Sequence, residues 1–233
     1  MKNLSIIIPC YNEKENIKIL LGKFVSIKDQ NIELILVNNG SSDSTEKTIS
    51  SYSRIDHRIR YLKIEKNIGY GNGIMAGVSE SRNKIISWTH ADLQTDILDV
   101  INSFHSFSIQ KNYKQCVLKG KRKGRSVFDW FFTFSMSIIS SVLLGRYLSD
   151  INAQPKMFHR SFLKKLKNYP KDFSLDLFFL YQAKSNAMKI IEHPVYFGNR
   201  LYGESKGGGT IAGKLKLIAR TWSYMIQLRK KIK

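Results

Sequence analysis

An apolar run at residues 85–89 is followed at once by three side chains of types that can bind a metal ion. His90, Asp92 and Gln94 occur at every second position. Alternation along an extended strand would place all three on one side. One imidazole, one carboxylate and one amide oxygen could then face a divalent cation that is already bound to phosphate oxygens. The alternative is a strand end, a polar turn and a helix N-cap at Thr95 or Asp96.

Basic side chains that could bind phosphate occur in two later stretches. Five of the seven residues in 119–125 are basic. They predict a phosphate cradle in which Arg122 makes the direct contact through its planar guanidinium, with Arg125 beside it. A solvated loop or a nucleic-acid patch is the alternative. The glycine-rich stretch 199–209 carries Arg200 and Lys206, and we interpret it as a mobile lid that closes on phosphate.

Short apolar runs alternate with helical patterns, and the polar clusters lie where the apolar runs end. This order predicts a parallel sheet wrapped by helices, with ligands at the carboxyl ends of the strands. Pro194 suggests that the last strand lies at an edge of the sheet. The predicted strands are 4–9, 32–37, 60–65, 84–89, 116–118 and 189–195, and the predicted helices include 13–25, 97–107 and 175–183.

The glycines at positions 69, 71 and 73 do not match the dinucleotide-binding fingerprint, because the third glycine comes too early. Tight turning and close helix packing explain them adequately. We therefore expect no cofactor at this point.

Two segments could meet a membrane surface. Residues 127–144 are rich in aromatic and aliphatic side chains, with only Asp129 charged. A helix in a membrane interface fits this composition, and a buried helix is the alternative. From residue 211, apolar residues at three- and four-residue steps alternate with basic ones, which predicts an amphipathic helix on an anionic membrane surface. A nucleic-acid-binding helix is the alternative for this segment. The chain has no run of about 20 apolar residues, so we expect no membrane span.

Length and composition limit the class of protein. The 233 residues suit one domain with a full core, and the net charge of +20 should attract anions such as nucleotides or acidic lipids. Cys10 and Cys116 lie in apolar contexts without metal spacing, so we expect reduced core cysteines of a cytosolic protein. The apolar stretch at the N-terminus is too short for a signal peptide.

Six motifs occur in order along almost the whole chain, and together they resemble glycosyltransferase family 2. Within that family the resemblance is to polyprenyl-phosphate sugar transferases related to dolichol-phosphate mannosyltransferase. The motifs are Ile8-Pro9-Cys10-Tyr11-Asn12-Glu13, Val37-Asn38-Asn39-Gly40-Ser41-Ser42-Asp43, Asn67-x-Gly69-Tyr70-Gly71, His90-Ala91-Asp92-Leu93-Gln94, Asn152-Ala153-Gln154-Pro155-Lys156 and Arg200-x-x-Gly203-x-Ser205-Lys206.

The resemblance implies an α/β protein with a GT-A (Rossmann-like), mostly parallel central sheet, which we assign to residues 1–209. The residue pattern predicts the basic amphipathic helix that follows, over 210–233. The resemblance also implies a nucleotide-diphosphate sugar donor, Mg²⁺ or Mn²⁺, and a lipid phosphate acceptor, with no nucleic acid. The protein would be cytoplasmic and peripherally associated with the inner face of the membrane.

The resemblance also implies roles for particular residues. Asp92 and Gln94, with His90, would bind the metal, while Asp92, Arg200 and Lys206 would steady the departing diphosphate. Arg122 and Arg125 would bind the acceptor phosphate. The donor would be bound by Pro9, Tyr11, Asn12, Glu13, Asn39, Asp43, Gly69, Ala91 and Gln94.

Three features depart from the family pattern. Asn38-Asn39 stands where the family usually has an acidic pair, and His90 stands where it usually has Asp. An Asn carbonyl can still accept from a base N–H, so we expect changed donor preference and retuned metal binding. The C-terminal transmembrane helices of many relatives are missing, so the interface-type segments would have to localise the protein.

The expected reaction is a single in-line displacement at the anomeric carbon with inversion. A lipid phosphate is already ionised at neutral pH, so it needs no general base. A saccharide hydroxyl, the alternative acceptor, would need one, and Asp150 or Asp176 would be the candidates. Asp176 could equally be a helix N-terminal charge. The sequence leaves two further classes open, a non-catalytic nucleotide-sugar-binding protein and a nucleic-acid-binding module.

Overall fold

The computed structural model describes residues 2–124, 126–203 and 211–232. Strands and helices alternate through the first half of the chain, as predicted. The strands are β1 (Leu4–Cys10), β2 (Ile32–Asn39), β3 (Ile59–Ile64), β4 (Ile85–Trp88), β5 (Cys116–Lys123), β6 (Lys156–His159) and β7 (Lys189–Tyr196). The helices are α1 (Lys14–Val25), α2 (Thr45–Ser53), α3 (Tyr70–Glu80), α4 (Ile97–Ser108), α5 (Val127–Leu144), α6 (Leu175–Ser185) and α7 (Ile211–Ile232). Short 3₁₀ segments occupy Tyr113–Gln115 and Arg160–Lys165.

The seven strands form one mixed sheet in the order β3-β2-β1-β4-β6-β5-β7. The pairs β1/β2, β2/β3, β1/β4 and β5/β7 are parallel, and β6 is antiparallel to both of its neighbours. Because β1, β2 and β4 are mutually parallel and adjacent, the loops that follow them meet at one edge of the sheet. The expectation of a mostly parallel sheet is confirmed.

Both faces of the sheet are covered, and the pattern of β1 shows how. Ile6 and Ile8 pack into a cluster with α1 and α4 on one face, whereas Ile7 packs on the other face with α3 and α6. All three side chains are fully buried. A strand buried on both faces is apolar at consecutive positions, which is why this run in the sequence does not alternate with polar residues.

The strand β5 is longer than the sequence predicts. It continues through Lys123 and pairs with β7 along its whole length, so the prediction of a basic loop from residue 119 is wrong. Lys119 is only 1% exposed, and its Nζ lies 3.0 Å from Oε1 of Glu192. The cation is tolerated inside because a partner on β7 compensates its charge. β7 lies at the sheet edge, as Pro194 indicates.

The glycines before and within α3 serve close packing, as predicted. A Cβ on Gly71 would lie 2.3 Å from the carbonyl oxygen of Pro170, and one on Gly69 would lie 2.5 Å from that of Lys171. Gly69 also has a φ of 91°, which glycine adopts without strain. The start of α3 therefore lies directly against the loop that precedes α6.

The helix α5 is not a buried helix. Ser126 caps its first turn, where its Oγ accepts a hydrogen bond from Asp129 N, and Gly145 ends it in the left-handed conformation. Several large apolar side chains of α5 are exposed, among them Phe131 at 59% and Val142 at 74%. Within the described ranges, no helix is long and apolar enough to cross a membrane.

The C-terminal segment is helical, and it packs on α5. Met225 of α7 is fully buried, and its sulfur accepts a hydrogen bond from the Ser140 hydroxyl. The structure does not describe several α7 side chains, so the amphipathic pattern of this helix stays a prediction. The domain boundary between residues 209 and 210 also stays a prediction. Cys10 and Cys116 are free and buried.

Candidate active site

A cavity of about 480 Å³ opens at the carboxyl ends of β1, β2 and β4, and we call it the donor cavity. It brings together most of the residues that the sequence selects, from segments far apart in the chain. Its lining includes Pro9, Tyr11, Glu13, Asn39, Gly69, His90, Ala91, Asp92, Gln94, Arg122 and Arg200. Arg125 and Lys206 lie outside the described residues, so their predicted roles stay predictions.

Asp92 and Glu13 share one cation, the guanidinium of Arg200. Nη2 of Arg200 lies 3.0 Å from Oδ2 of Asp92, and Nη1 lies 3.3 Å from Oε1 of Glu13. Asp92 follows β4, Glu13 precedes α1, and Arg200 follows β7. The fold therefore places two carboxylates and one arginine together inside the cavity.

Gln94 and His90 also lie in this cavity but make different contacts. Gln94 Nε2 donates to the carbonyl oxygen of Gly198 over 3.2 Å, and its backbone oxygen accepts from Gly198 N. The His90 ring packs against that of Tyr70, with centroids 5.4 Å apart. Asp96 is the N-cap of α4, since its side chain accepts from Leu98 N. The N-cap expected at this turn is therefore present alongside the polar cluster.

Asn39 holds the loop between β3 and α3. Its Nδ2 donates to the carbonyl oxygen of Gly69 over 3.1 Å, and its Oδ1 accepts from Ile68 N over 3.1 Å. Asn38 is 1% exposed, and its Oδ1 accepts from Ser41 N. In this structure the two amides hold loops, and Asn39 also forms part of the cavity wall.

Asn12 and Asp43 are not among the residues that line the cavity. Asn12 Oδ1 accepts from Ser42 N over 2.8 Å, which joins the loop after β1 to the loop after β2. Asp43 Oδ1 accepts from Thr45 N over 3.0 Å at the start of α2. Both contacts stabilise the loops that carry donor-cavity residues.

Asp176 is a buried carboxylate in the first turn of α6, with 1% exposure. It accepts hydrogen bonds from Trp88 Nε1 at 3.1 Å, from Gln154 Nε2 at 3.1 Å and from the Tyr70 hydroxyl at 3.3 Å. Burial raises the pKa of Tyr70, and the nearby Asp176 charge raises it further, so this hydroxyl remains a hydrogen-bond donor. These contacts fit the interpretation of Asp176 as a charged residue at the N-terminus of a helix.

Asp150 is paired with Arg122. Its Oδ2 accepts from Arg122 N over 2.9 Å, and its Oδ1 accepts from Arg122 Nε over 2.8 Å. Both side chains are mostly buried, at 11% and 12% exposure. The Arg122 guanidinium also lies 5.2 Å from the centroid of the Phe197 ring. Asp150 therefore orients an arginine in this structure, and its role as a base stays a prediction.

A second cavity, of about 420 Å³, lies between the end of β5 and the helix α5, and we call it the α5 groove. One end carries charged residues, including Lys121, Arg122 and Glu192. The remaining wall is largely apolar and includes Trp130, Phe134, Ile138, Val142 and Leu148. Arg122 lines both this groove and the donor cavity.

Residues 5–101 match the model of a family described as Glycosyl transferase family 2. Over this segment the chain is similar to glycosyltransferase family 2. The matched segment runs from β1 into α4, so it contains the three strand ends around which the donor cavity forms. The resemblance that the motifs indicate is confirmed.

Curated relatives extend this likeness beyond the matched segment. The chain is 26% identical over 213 residues to undecaprenyl-phosphate 4-deoxy-4-formamido-L-arabinose transferase of Proteus mirabilis, and the match covers 88% of this chain and 63% of the relative. It is equally similar to the protein of the same name from Photorhabdus laumondii. The chain thus spans 63% of the length of these curated relatives.

Solved structures show the same fold at low sequence identity. Glucosyl-3-phosphoglycerate synthase from Mycobacterium tuberculosis, in complex with Mn²⁺ and UDP, aligns over 98% of this chain and 80% of its own, with 15% identity and a TM-score of 0.73. A mannosyltransferase from Pyrobaculum calidifontis, bound to GDP-Man and Mn²⁺, aligns over 97% of this chain and 64% of its own, with 13% identity and a TM-score of 0.68. The predicted GT-A fold is confirmed.

Sequence reasoning missed several residues that line the donor cavity. Phe173 stacks on Tyr70, with ring centroids 4.5 Å apart, and Arg220 of α7 faces Asp172, with Nε to Oδ2 at 3.7 Å. Tyr70 stands within a family 2 motif and could have been selected. Phe173, Arg220 and Asp172 have no local signal, because only folding brings α7 and the loop before α6 to this cavity.

The synthase from Mycobacterium tuberculosis and the mannosyltransferase from Pyrobaculum calidifontis both contain Mn²⁺. The donor cavity of this chain offers ligands for such an ion. The described residues contain no group of three or more His, Cys, Asp or Glu side chains suited to a metal ion. The carboxylates of Asp92 and Glu13 nevertheless converge on one cation, the guanidinium of Arg200. Oxygen ligands of this kind suit Mg²⁺ or Mn²⁺ when substrate phosphates complete the coordination. The donor set therefore fits such an ion.

Proposed function

We propose that this chain transfers a hexose from a nucleotide-diphosphate sugar to a polyprenyl phosphate at a membrane surface. The observation that carries the proposal is the position of Arg122, which lines both the donor cavity and the largely apolar α5 groove. A polyprenyl phosphate is an anion joined to a hydrocarbon chain. A guanidinium at the end of an apolar groove suits both parts of such a molecule.

The donor would occupy the cavity at the carboxyl ends of β1, β2 and β4. The lining of this cavity includes Pro9, Tyr11, Asn39 and Gly69. The resemblance to family 2 implies that these residues bind the nucleotide. Arg200 contacts Glu13 and Asp92 in this cavity, so it would be within reach of a diphosphate bound beside them. The names of the curated relatives, which act on undecaprenyl phosphate, favour a lipid phosphate as the acceptor.

The chemistry follows from the charges of the two substrates. An oxygen of the ionised acceptor phosphate attacks the anomeric carbon, and the bond from that carbon to the diphosphate oxygen breaks on the opposite face. No proton has to move, because the lipid phosphate is an anion at neutral pH. Arg122 would orient the attacking phosphate, and Arg200 would stabilise the charge that accumulates on the departing diphosphate. Lys206, which is not among the described residues, would assist Arg200.

A divalent cation, Mg²⁺ or Mn²⁺, would be held by the carboxylates of Asp92 and Glu13, with the amide oxygen of Gln94 and the His90 ring nearby. When bound, it supplies positive charge to the diphosphate leaving group. The contribution of this chain is the set of oxygen ligands. The carboxylates of Asp92 and Glu13 also hold Arg200 beside the position proposed for the diphosphate.

The helix α5 supports association with a membrane surface. Exposed apolar side chains of this helix include Val127 at 84% and Phe131 at 59%, and α7 packs beside it. The basic residues Arg229, Lys230 and Lys231 lie in the last turn of α7. Apolar insertion together with cationic side chains is the combination that binds anionic lipid surfaces. We therefore propose peripheral binding to the inner face of the membrane.

The test combines donor binding with a transfer assay. Thermal unfolding is measured with UDP-, GDP- and dTDP-sugars, each with Mn²⁺, Mg²⁺ or chelator, because a bound ligand raises the melting temperature. The stabilising donor is then incubated with undecaprenyl phosphate in vesicles, and the extracted lipid is analysed for the sugar. Asp92→Asn is the matched variant, and its transfer rate should fall by on the order of 100-fold.

Each result distinguishes one function from another. Donor binding without transfer to any lipid phosphate would favour a nucleotide-sugar-binding protein. Sugar transferred to a saccharide hydroxyl but not to lipid would favour the hydroxyl acceptor. Full transfer activity in Asp92→Asn would contradict the assigned site.

A further inference from the structure

Arg200 occupies the position between the two carboxylates of the donor cavity. Its contacts to Asp92 and Glu13 measure 3.0 and 3.3 Å. The three side chains are largely withdrawn from solvent, with exposures of 19% for Arg200 and 11% for each carboxylate. Two partly buried carboxylates at one place require a compensating cation, and here the protein itself supplies it.

The segment that carries Arg200 is fastened to the cavity on both sides of the arginine. Before it, Gly198 N donates to the backbone oxygen of Gln94 over 3.0 Å, and the Gly198 oxygen accepts from Gln94 Nε2 over 3.2 Å. After it, the Tyr202 oxygen accepts from Asn16 Nδ2 over 3.2 Å. The ion pairs therefore belong to a docked segment that covers the site.

We propose that Arg200 is a built-in counter-ion that competes with a divalent cation for Asp92 and Glu13. This proposal rests on the proposed function, because it assumes that the cation binds at the donor cavity. A cation that arrives alone must displace the guanidinium from two carboxylates, so it binds weakly. A nucleotide diphosphate offers the guanidinium new anionic partners with better geometry, and Arg200 moves from the carboxylates to the phosphates.

The consequence is an order of binding. The cation and the nucleotide each increase the binding affinity of the other, because the nucleotide draws away Arg200, which competes with the cation. Arg200 is thus a positioning residue for the cation as well as a contact for the diphosphate. Without a donor, the docked segment keeps the two carboxylates neutralised.

The experiment measures Mn²⁺ binding without nucleotide, from the electron paramagnetic resonance signal of free Mn²⁺. Wild type is compared with Arg200→Gln and with the control Arg60→Gln. Arg60 is similarly exposed, at 23%, and pairs with Glu33 at 3.2 Å, but it lies near the beginning of β3, away from the cavity. Arg200→Gln should bind Mn²⁺ on the order of tenfold more tightly than wild type, because two ion pairs no longer have to be broken. Arg60→Gln should match wild type.

Two further measurements keep the test independent of folding and of catalysis. Mn²⁺ should raise the melting temperature of Arg200→Gln more than that of wild type, and the double variant Arg200→Gln/Asp92→Asn should lose the gain in affinity. Addition of UDP or GDP should tighten Mn²⁺ binding more in wild type than in Arg200→Gln. Equal or weaker Mn²⁺ binding in Arg200→Gln would overturn the proposal. Failure of the proposed function would instead appear as missing sugar transfer, which the nucleotide-free titration does not involve.

Discussion

The side-chain amide of Asn39 donates a hydrogen bond of 3.1 Å to the carbonyl oxygen of Gly69, which ties the end of β2 to the start of α3. Gly69 in turn lies against Lys171, where a Cβ would come within 2.5 Å of the carbonyl oxygen. An acidic side chain at position 39 could accept from Ile68 N but could not donate to Gly69. The departure from the family's acidic pair therefore has a structural counterpart in this chain.

Replacement of Asn39 by Asp should destabilise the protein. The carboxylate would face the Gly69 oxygen, leaving a buried acceptor without its donor, at a cost of about 1–3 kcal/mol. Urea unfolding of wild type and Asn39→Asp measures the change, with Asn102→Asp on the exposed side of α4 as the control for added charge. Equal stability of Asn39→Asp and wild type would show that the 67–69 loop does not depend on this amide.

Much of the fold could be predicted because its strands are buried on both faces. Ile6, Ile7 and Ile8 form an uninterrupted apolar run, and the structure buries all three. The extension of β5 could not be predicted, because Lys119 has the residue type of a surface position. Its burial depends on Glu192, which lies far along the sequence on β7.

The donor cavity was predictable where its residues follow strands. Asp92 and Glu13 come soon after β4 and β1, so motif and topology agree. The convergence of both on Arg200, and the approach of Arg220 to Asp172, are tertiary contacts without a local pattern. The same holds for Asp150, whose pairing with Arg122 the sequence does not indicate.

Asp150→Asn should weaken binding of the lipid acceptor. Asp150 fixes Arg122 through the backbone N and through Nε, and an amide would present N–H groups toward a guanidinium. We expect the KM for undecaprenyl phosphate to rise on the order of tenfold, which corresponds to loss of one charge-assisted hydrogen bond. Donor-induced thermal stabilisation should persist. Arg122→Lys should show the same pattern, since an ammonium lacks the planar fork, and an unchanged KM in both variants would contradict this role.

Lys156 should make stability depend on pH. Its Nζ is fully buried and donates to the carbonyl oxygens of Ile151, at 2.7 Å, and Ala153, and burial lowers its pKa from 10.5 to about 8. Between these two values the unfolded chain holds a proton that the folded chain has released, so this residue increases the free energy of unfolding as pH rises. Between pH 7 and pH 10, wild type should gain about 2–3 kcal/mol relative to Lys156→Met. Parallel pH curves of unfolding for the two proteins would contradict the shift.

Membrane binding should depend on exposed apolar side chains of α5 that do not line the α5 groove. Val127 and Phe131 are 84% and 59% exposed, and burying each in lipid should contribute about 1.5–3 kcal/mol. The variant Val127→Glu/Phe131→Glu should therefore bind anionic vesicles at least about tenfold more weakly than wild type in a sedimentation assay.

The control Ile55→Glu/Ile109→Glu introduces the same two charges at residues that are 71% and 80% exposed, just after α2 and α4. It should bind vesicles as wild type does if α5 is the membrane-facing surface. Wild-type binding should also weaken with added salt and on neutral lipid, because the basic end of α7 contributes electrostatically. Because neither Val127 nor Phe131 lines the groove, transfer to a detergent-solubilised acceptor should persist in the double variant. Equal loss in the control and the double variant would place the contact elsewhere on the protein.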